Sequence, residues 1–237
     1  MPQAKAAIAE FVYDLNPKDD VFLFAFSSGP FLLQPFTQKH SLLISRLDLL
    51  YAQGETAIFD TIIDGLLMVQ HGLWDKKALL VVTDGEDNAS QWGLDEVITR
   101  ARRMGVLIYS IGIGNSNVSG GGVGFSIGPL AMLSGDNDAV DARTLETLSN
   151  ETGAKTFILK TISDGRAMRD DCAAISRELR EQYTVGFVAP DPGHSGYRNL
   201  RVDVPTRPYD SVRVRKGVTV GGSGTESASA EPDRGSP

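Results

Sequence analysis

The chain has 237 residues, 41% of them hydrophobic, and a formal net charge of -7 at pH 7. That is enough apolar material to bury the core of one large domain, or of one domain with an appendage. The acidic balance argues against a general nucleic-acid binder, which needs a basic surface to displace counterions from phosphate, and the single cysteine, Cys172, excludes an internal disulfide or a cysteine-built zinc site.

The opening "MPQAKAAIAEF" lacks the apolar segment of a signal peptide, so no export address is expected. Ile8, Phe11, Val12 and Leu15 fit one face of a helix, and "NPKDD" turns the chain into a strand, "VFLFAFSS". A second extended piece, "PFLLQPF", leads to a helix over residues 39–50. A short loop, "AQGET", precedes a mostly apolar helix over 58–71. The stretch "KKALLVVTDGEDNAS" then carries a strand whose apolar run predicts burial on both faces, and it breaks into the carboxylates Asp84, Glu86 and Asp87. Leu94, Val97, Ile98 and Ala101 mark the next helix, and "GVLIYSIGIG" is a buried strand ending in glycines.

After a glycine- and serine-rich insertion at residues 115–138, the pattern resumes. A helix over 142–152, a strand "AKTFIL", a helix through Leu179 and a strand "YTVGFVA" follow. Cys172 falls at helical spacing with Met168, Ile175 and Leu179 and reads as a small core residue. No apolar run approaches the ~18 residues that cross a bilayer.

Strands alternating with helices of this length predict βαβ units, hence an α/β fold with a doubly wound, mostly parallel sheet covered by helices on both faces. That domain is expected over residues 1–190. Residues 191–220 read differently, because "LRVDVP" and "SVRVRKG" alternate apolar and polar positions as a half-exposed antiparallel hairpin does. Residues 221–237 have almost nothing to bury and are expected to be disordered.

Together, "DDVFLFAFSS", "GETAIFDTI", "ALLVVTDGEDN" and "ARRMGVLIYSIGIG" resemble a von Willebrand factor type A domain. The tail from "LREQYTVGFVAP" to "SVRVRKG" further resembles a bacterial subfamily of such proteins known chiefly from acidobacteria. The resemblance implies a metal-ion-dependent adhesion site built from three loops: a DxSxS motif after the first strand, a threonine and an aspartate. Thr56 matches the threonine and Asp84 the aspartate. They would hold Mg²⁺, with Mn²⁺ or Ca²⁺ as alternatives, and a protein partner would add an Asp or Glu to the shell.

No DxSxS occurs in the chain, so the resemblance implies an incomplete or remnant site. The sequence starts inside what should be the first helix, and the expectation is that upstream DNA, read in frame, encodes an apolar strand ending in DxSxS. A doubly wound sheet without that strand would expose its neighbours' edges. The family also implies an extracytoplasmic setting.

Plainer readings stand beside these. Asp84 precedes Gly85, a common turn pair, and Thr56 can cap the helix that follows it. Glu86 and Asp87 read as solvated loop residues. "GFSIG" matches a nucleophile elbow at Ser126 with His194 after it, but the preceding "NSNVSGGGV" is not the buried strand such an elbow requires. A serine hydrolase is therefore a third reading, after a binding module and a metal-independent scaffold. His40, His71 and His194 are scattered and read as surface residues. Arg198, Arg201, Arg213, Arg215 and Lys216 read as a solvated strand face.

Overall fold

A computed structural model describes residues 2–50, 55–116, 139–159, 165–183, 185–187, 196–205 and 212–220. The elements run α1 (Pro2–Asp14), β1 (Val21–Phe26), β2 (Pro30–Thr37), α2 (His40–Leu47), α3 (Ile58–Gln70), β3 (Ala78–Thr83), α4 (Leu94–Met104) and β4 (Leu107–Ile113). They continue with β5 (Asn115–Ser116), β6 (Ala139–Val140), α5 (Ala142–Thr152), β7 (Thr156–Leu159), α6 (Gly165–Glu181), β8 (Gly196–Asn199) and β9 (Gly217–Val220).

Local chemistry sets several boundaries. Helix α4 carries Asp95 and Glu96 in its first turn and Arg102 and Arg103 in its last, each complementing the helix dipole, and it ends on Gly105 in the left-handed region at φ 68°. Asp141 caps α5 by accepting a bond from the Thr144 N–H at 3.0 Å, and Gly153 ends that helix at φ 86°.

Strands β3, β4 and β7 form a parallel sheet with β4 in the middle, Ala78 opposite Leu107 and Ser110 opposite Thr156. One face packs under α1 and α6, where Phe11, Val12, Tyr109, Ile111, Cys172 and Ile175 are buried together. The other face packs under α3 and α4, around Ile62, Leu66, Val97, Ala101 and Ile108. Cys172 is a core residue, as its spacing predicts.

Strand β1 lies between the same two helical layers. Val21 and Leu23 join the layer of α1 and α6, as Ala78, Leu80 and Val82 of β3 do. Phe22 and Phe26 join the layer of α3, as Leu79 does. Yet among the described residues β1 bonds only to β2, in an antiparallel pair, and β3 only to β4. Between them lies a slot of about 920 Å³ lined by both strands, α1 and α3. Every residue of β1 is consequently only partly buried, whereas all of β4 after its first residue is buried.

Three expectations are corrected. In "YTVGFVA", Tyr183, Val185 and Phe187 are exposed and outside any strand, because an apolar run becomes a strand only where a sheet edge receives it. The antiparallel pair near the end uses Gly196–Asn199 and Gly217–Val220, flanking the two alternating stretches. It is pinned there by close approaches: a side chain on Gly217 would collide with the Arg198 carbonyl, and one on Gly153 with the Arg215 N–H at 2.8 Å. Arg213 also pairs with Glu178, so this basic stretch is tied to the domain and is not a wholly solvated face. Residues 117–138 of the insertion, Ser126 included, together with His194 and the tail 221–237, lie outside the described residues.

Candidate functional site

Three loops meet where β1 and β3 end. The Ala57 N–H donates to the Ser27 carbonyl at 2.7 Å, joining the end of β1 to the threonine loop. The threonine and aspartate loops are cross-linked in both directions. Thr56 N–H donates to Asn88 Oδ1 at 2.7 Å, and Asn88 N–H donates to the Thr56 carbonyl at 3.0 Å.

Asp87 is the centre of this junction. Its Oδ2 accepts from the Ile58 N–H at 2.7 Å, the Phe59 N–H at 3.1 Å and the Ser90 hydroxyl at 2.6 Å. Helix α3 needs this, because its N-cap position is Ala57, which has no side-chain oxygen to satisfy the first free N–H groups. A carboxylate at a helix N-terminus also meets the positive end of the dipole. The lattice extends to Asp60, whose N–H donates to Ser90 Oγ at 3.1 Å and whose Oδ1 accepts from the Gln91 and Trp92 N–H groups at 2.9 and 3.0 Å. Asp87 is thus a structural pin and not a solvated loop residue. Thr56 is not the cap of α3.

Sequence reasoning missed Asp60, Asp87, Asn88 and Ser90. The composition "DNAS" favours capping, but its partner helix lies about thirty residues earlier in the chain, out of reach of any local pattern.

The two residues singled out from the sequence come to the same place. A methyl group added to Gly85 would touch the Thr56 hydroxyl at 3.6 Å, which puts that hydroxyl against the turn carrying Asp84. The turn is closed by Thr83, whose Oγ1 accepts from the Gly85 N–H at 3.2 Å. Asp84 stands exposed while Thr56 is half-buried, and both line one end of the slot.

A hydroxyl and a carboxylate are hard oxygen donors of the kind Mg²⁺ takes, and Mg²⁺ is commonly held by one or two carboxylates while keeping several waters. The donor chemistry fits. Among the described residues no group of three or more His, Cys, Asp or Glu side chains is gathered, so the pair offers one carboxylate and one hydroxyl. His40 and His71 are far from this pattern: His40 Nε2 lies 3.3 Å from the Asp19 carbonyl, and His71 follows the last turn of α3.

The family model of the von Willebrand factor type A domain matches residues 1–171. An uncharacterized protein of Borreliella burgdorferi is 30% identical over 139 residues, 57% of this chain. The chain covers 40% of that relative's length. Among solved structures, a von Willebrand factor type A protein from Catenulispora acidiphila superposes with TM-score 0.58 at 14% identity, over 75% of this chain and 37% of that one. BatB of Bacteroides thetaiotaomicron gives 0.54 at 18% identity, over 76% and 88%. The von Willebrand domain of the type V pili tip protein Mfa5 of Porphyromonas gingivalis gives 0.51 at 11%, over 78% and 91%. At these identities the likeness to solved structures shows the fold.

Proposed function

The chain belongs to the von Willebrand factor type A domain family, whose members commonly serve as protein-interaction or adhesion modules, and from that premise we propose that it binds a protein partner through an incomplete metal-ion-dependent adhesion site. Thr56 and Asp84 would hold Mg²⁺, or Mn²⁺ or Ca²⁺ in its place, and the ion's shell would be completed by a carboxylate of the partner. When bound, the cation would supply the positive charge that attracts the partner's carboxylate. The chain's own part is to fix the two donors, through the lattice of Asp87, Asn88 and Ser90, and to leave Asp84 open to solvent. This function is non-enzymatic, and it is exercised outside the cytoplasm.

The observation that carries the reading is the convergence of Thr56 and Asp84 on one turn at the mouth of the slot. It is tested by calorimetric titration of Mg²⁺ and Mn²⁺ into the chain, with Asp84→Ala and Thr56→Ala as comparisons. Saturable heat lost in both variants supports the site. Heat that survives in both, or none in the unaltered chain, removes the metal and leaves a metal-independent scaffold.

That second reading has an observation of its own. Arg213 is paired with Glu178, and Arg215 is seated against Gly105 and Gly153, so the strands β8 and β9 are fastened to the body of the domain. A scaffold would use that element whether or not a chelator is present.

A further inference from the structure

The chain has two tryptophans and both are exposed, Trp92 at 44% and Trp74 at 51%. A large aromatic left in water is informative when something holds it there. Trp92 is held by backbone and by ring. Its N–H donates to Asp60 Oδ1 at 3.0 Å, beside the Gln91 N–H at 2.9 Å, which fixes its backbone to the first turn of α3. Its ring lies against the Arg100 guanidinium, 4.6 Å from the ring centroid, and Arg100 is itself held by Glu96 at 2.6 Å on α4. The indole is thus presented in a fixed orientation with part of its surface open. The same lattice carries the candidate site. Ser90 joins Asp87, which caps α3, to the Asp60 N–H, and Asp60 joins that junction to Trp92. Asp60 follows Thr56 by four residues that enter the helix, so the indole stands roughly 10–15 Å from Thr56 and the turn of Asp84. An extended peptide covers that span in about three to five residues. Trp74, by contrast, lies past the last turn of α3, at the opposite end of that helix.

The surroundings select what the indole can take. Arg100 already occupies the ring, and its positive charge disfavours a second cation there. A carboxylate from a partner finds Arg100 already paired with Glu96, and Asp95, exposed next to Glu96 in the chain, adds repulsion. An uncharged aromatic or large aliphatic side chain gains most, because it withdraws its own apolar area and that of the ring from water. Tryptophan and arginine are also among the residues that most often dominate the energy of an interface.

We propose that Trp92, backed by Arg100, is a second anchor of the docking site. The partner segment that offers its carboxylate at Thr56 and Asp84 carries, within about five residues of it, an aromatic or large aliphatic side chain that packs on Trp92. This second anchor rests on the reading of Thr56 and Asp84 as a cation site, and it adds the partner's second determinant.

The test uses the full chain in Mg²⁺ and fluorescein-labelled peptides in which a glutamate and a phenylalanine are separated by one to four glycines, each matched by a peptide with alanine in place of phenylalanine. Binding is followed by fluorescence anisotropy. At the best spacing the phenylalanine peptide is expected to bind at least fivefold more tightly than its alanine partner. Trp92→Ala is expected to abolish that difference while leaving the affinity for the alanine peptide unchanged, and Trp74→Ala to keep the difference. Equal binding of the two peptides at every spacing, a difference that survives Trp92→Ala, or no binding of any peptide overturns the second anchor. Calorimetric titration of Mg²⁺ reads the cation site separately, so a chain that takes Mg²⁺ and shows no preference for phenylalanine loses only the second anchor. A preference that persists in chelator and still depends on Trp92 keeps the anchor and removes the cation.

Discussion

Strand β4 and the pair β1 and β3 are written in the same alphabet and have different fates. "LIYSIGI", "VFLFAF" and "ALLVVT" are all apolar runs, yet β4 is buried from its second residue onward while β1 is nowhere fully buried and β3 only at Val81 and Thr83. The difference lies in the neighbours. Among the described residues strand β4 has a strand on either side, and β1 and β3 each have one, with the slot on the other side. Burial is a property of the assembled sheet, and a strand's own composition states only what it is able to tolerate.

The sharpest way to break that contrast is to make the same truncation on both sides of it. Ile111 is fully buried at the centre of β4, so Ile111→Ala is expected to cost about 3–4 kcal/mol in urea unfolding, within the range for buried aliphatic truncations. Leu80, only partly buried beside the slot, is expected to cost roughly 1–2 kcal/mol for Leu80→Ala, because the loss scales with the apolar area withdrawn from water. Equal costs would mean that the slot is closed in solution.

The loop junction gives a second contrast, between adjacent carboxylates. Asp87→Ala removes the cap of α3 and the clasp on Ser90 together, and about 1–2 kcal/mol of destabilisation is expected. Glu86→Ala, at an exposed position, should stay within about 0.5 kcal/mol. If the two variants unfold at the same urea concentration, Asp87 is not the pin described.

Tyr109 sharpens the picture on the well-filled side of the sheet. Its hydroxyl donates to Glu178 Oε1 at 2.8 Å and accepts from Gln182 Nε2 at 3.2 Å. Burial, and then the Glu178 carboxylate, hold its acidity well above the ordinary tyrosine range. The unfolded chain ionises first, at about pH 10, so the stability of the folded state falls as pH rises past that value. Tyr109→Phe is expected to cost about 1 kcal/mol at neutral pH and to flatten the alkaline slope of melting temperature against pH.

The smallest effect is expected at Asp171 on α6. Burial raises its pKa, Lys155 opposes the rise, and Asp170 adds to it. The folded state therefore holds this proton more tightly than the unfolded chain, and its stability falls as pH rises from the ordinary carboxylate value toward the raised one. Asp171→Asn should remove that decline, with a gain of at most about 0.5 kcal/mol at neutral pH. The check is the difference in melting temperature at neutral and mildly acidic pH.

Much of the scaffold is legible in the sequence. The helix over 58–71 appears as Ile58–Gln70 and the strand in "GVLIYSIGIG" as Leu107–Ile113, because each carries a long, unbroken pattern that packing did not need to override. Thr56 and Asp84 were readable as members of two loops, through the resemblance their surroundings carry. Their meeting at Gly85 was not readable, since it depends on how α3 and β3 cross. Asp87 reads as solvated for the same reason: local composition shows an acidic loop and cannot show a helix terminus folded back over it.

By itself, then, the sequence determined the kind and order of most elements, because hydrophobic period, caps and glycine stops act within a few residues of one another. Only the tertiary structure decided which edges found partners, which carboxylate became a helix cap and which stood in water. Those outcomes depend on groups about thirty or more residues apart competing for the same backbone bonds and the same buried space.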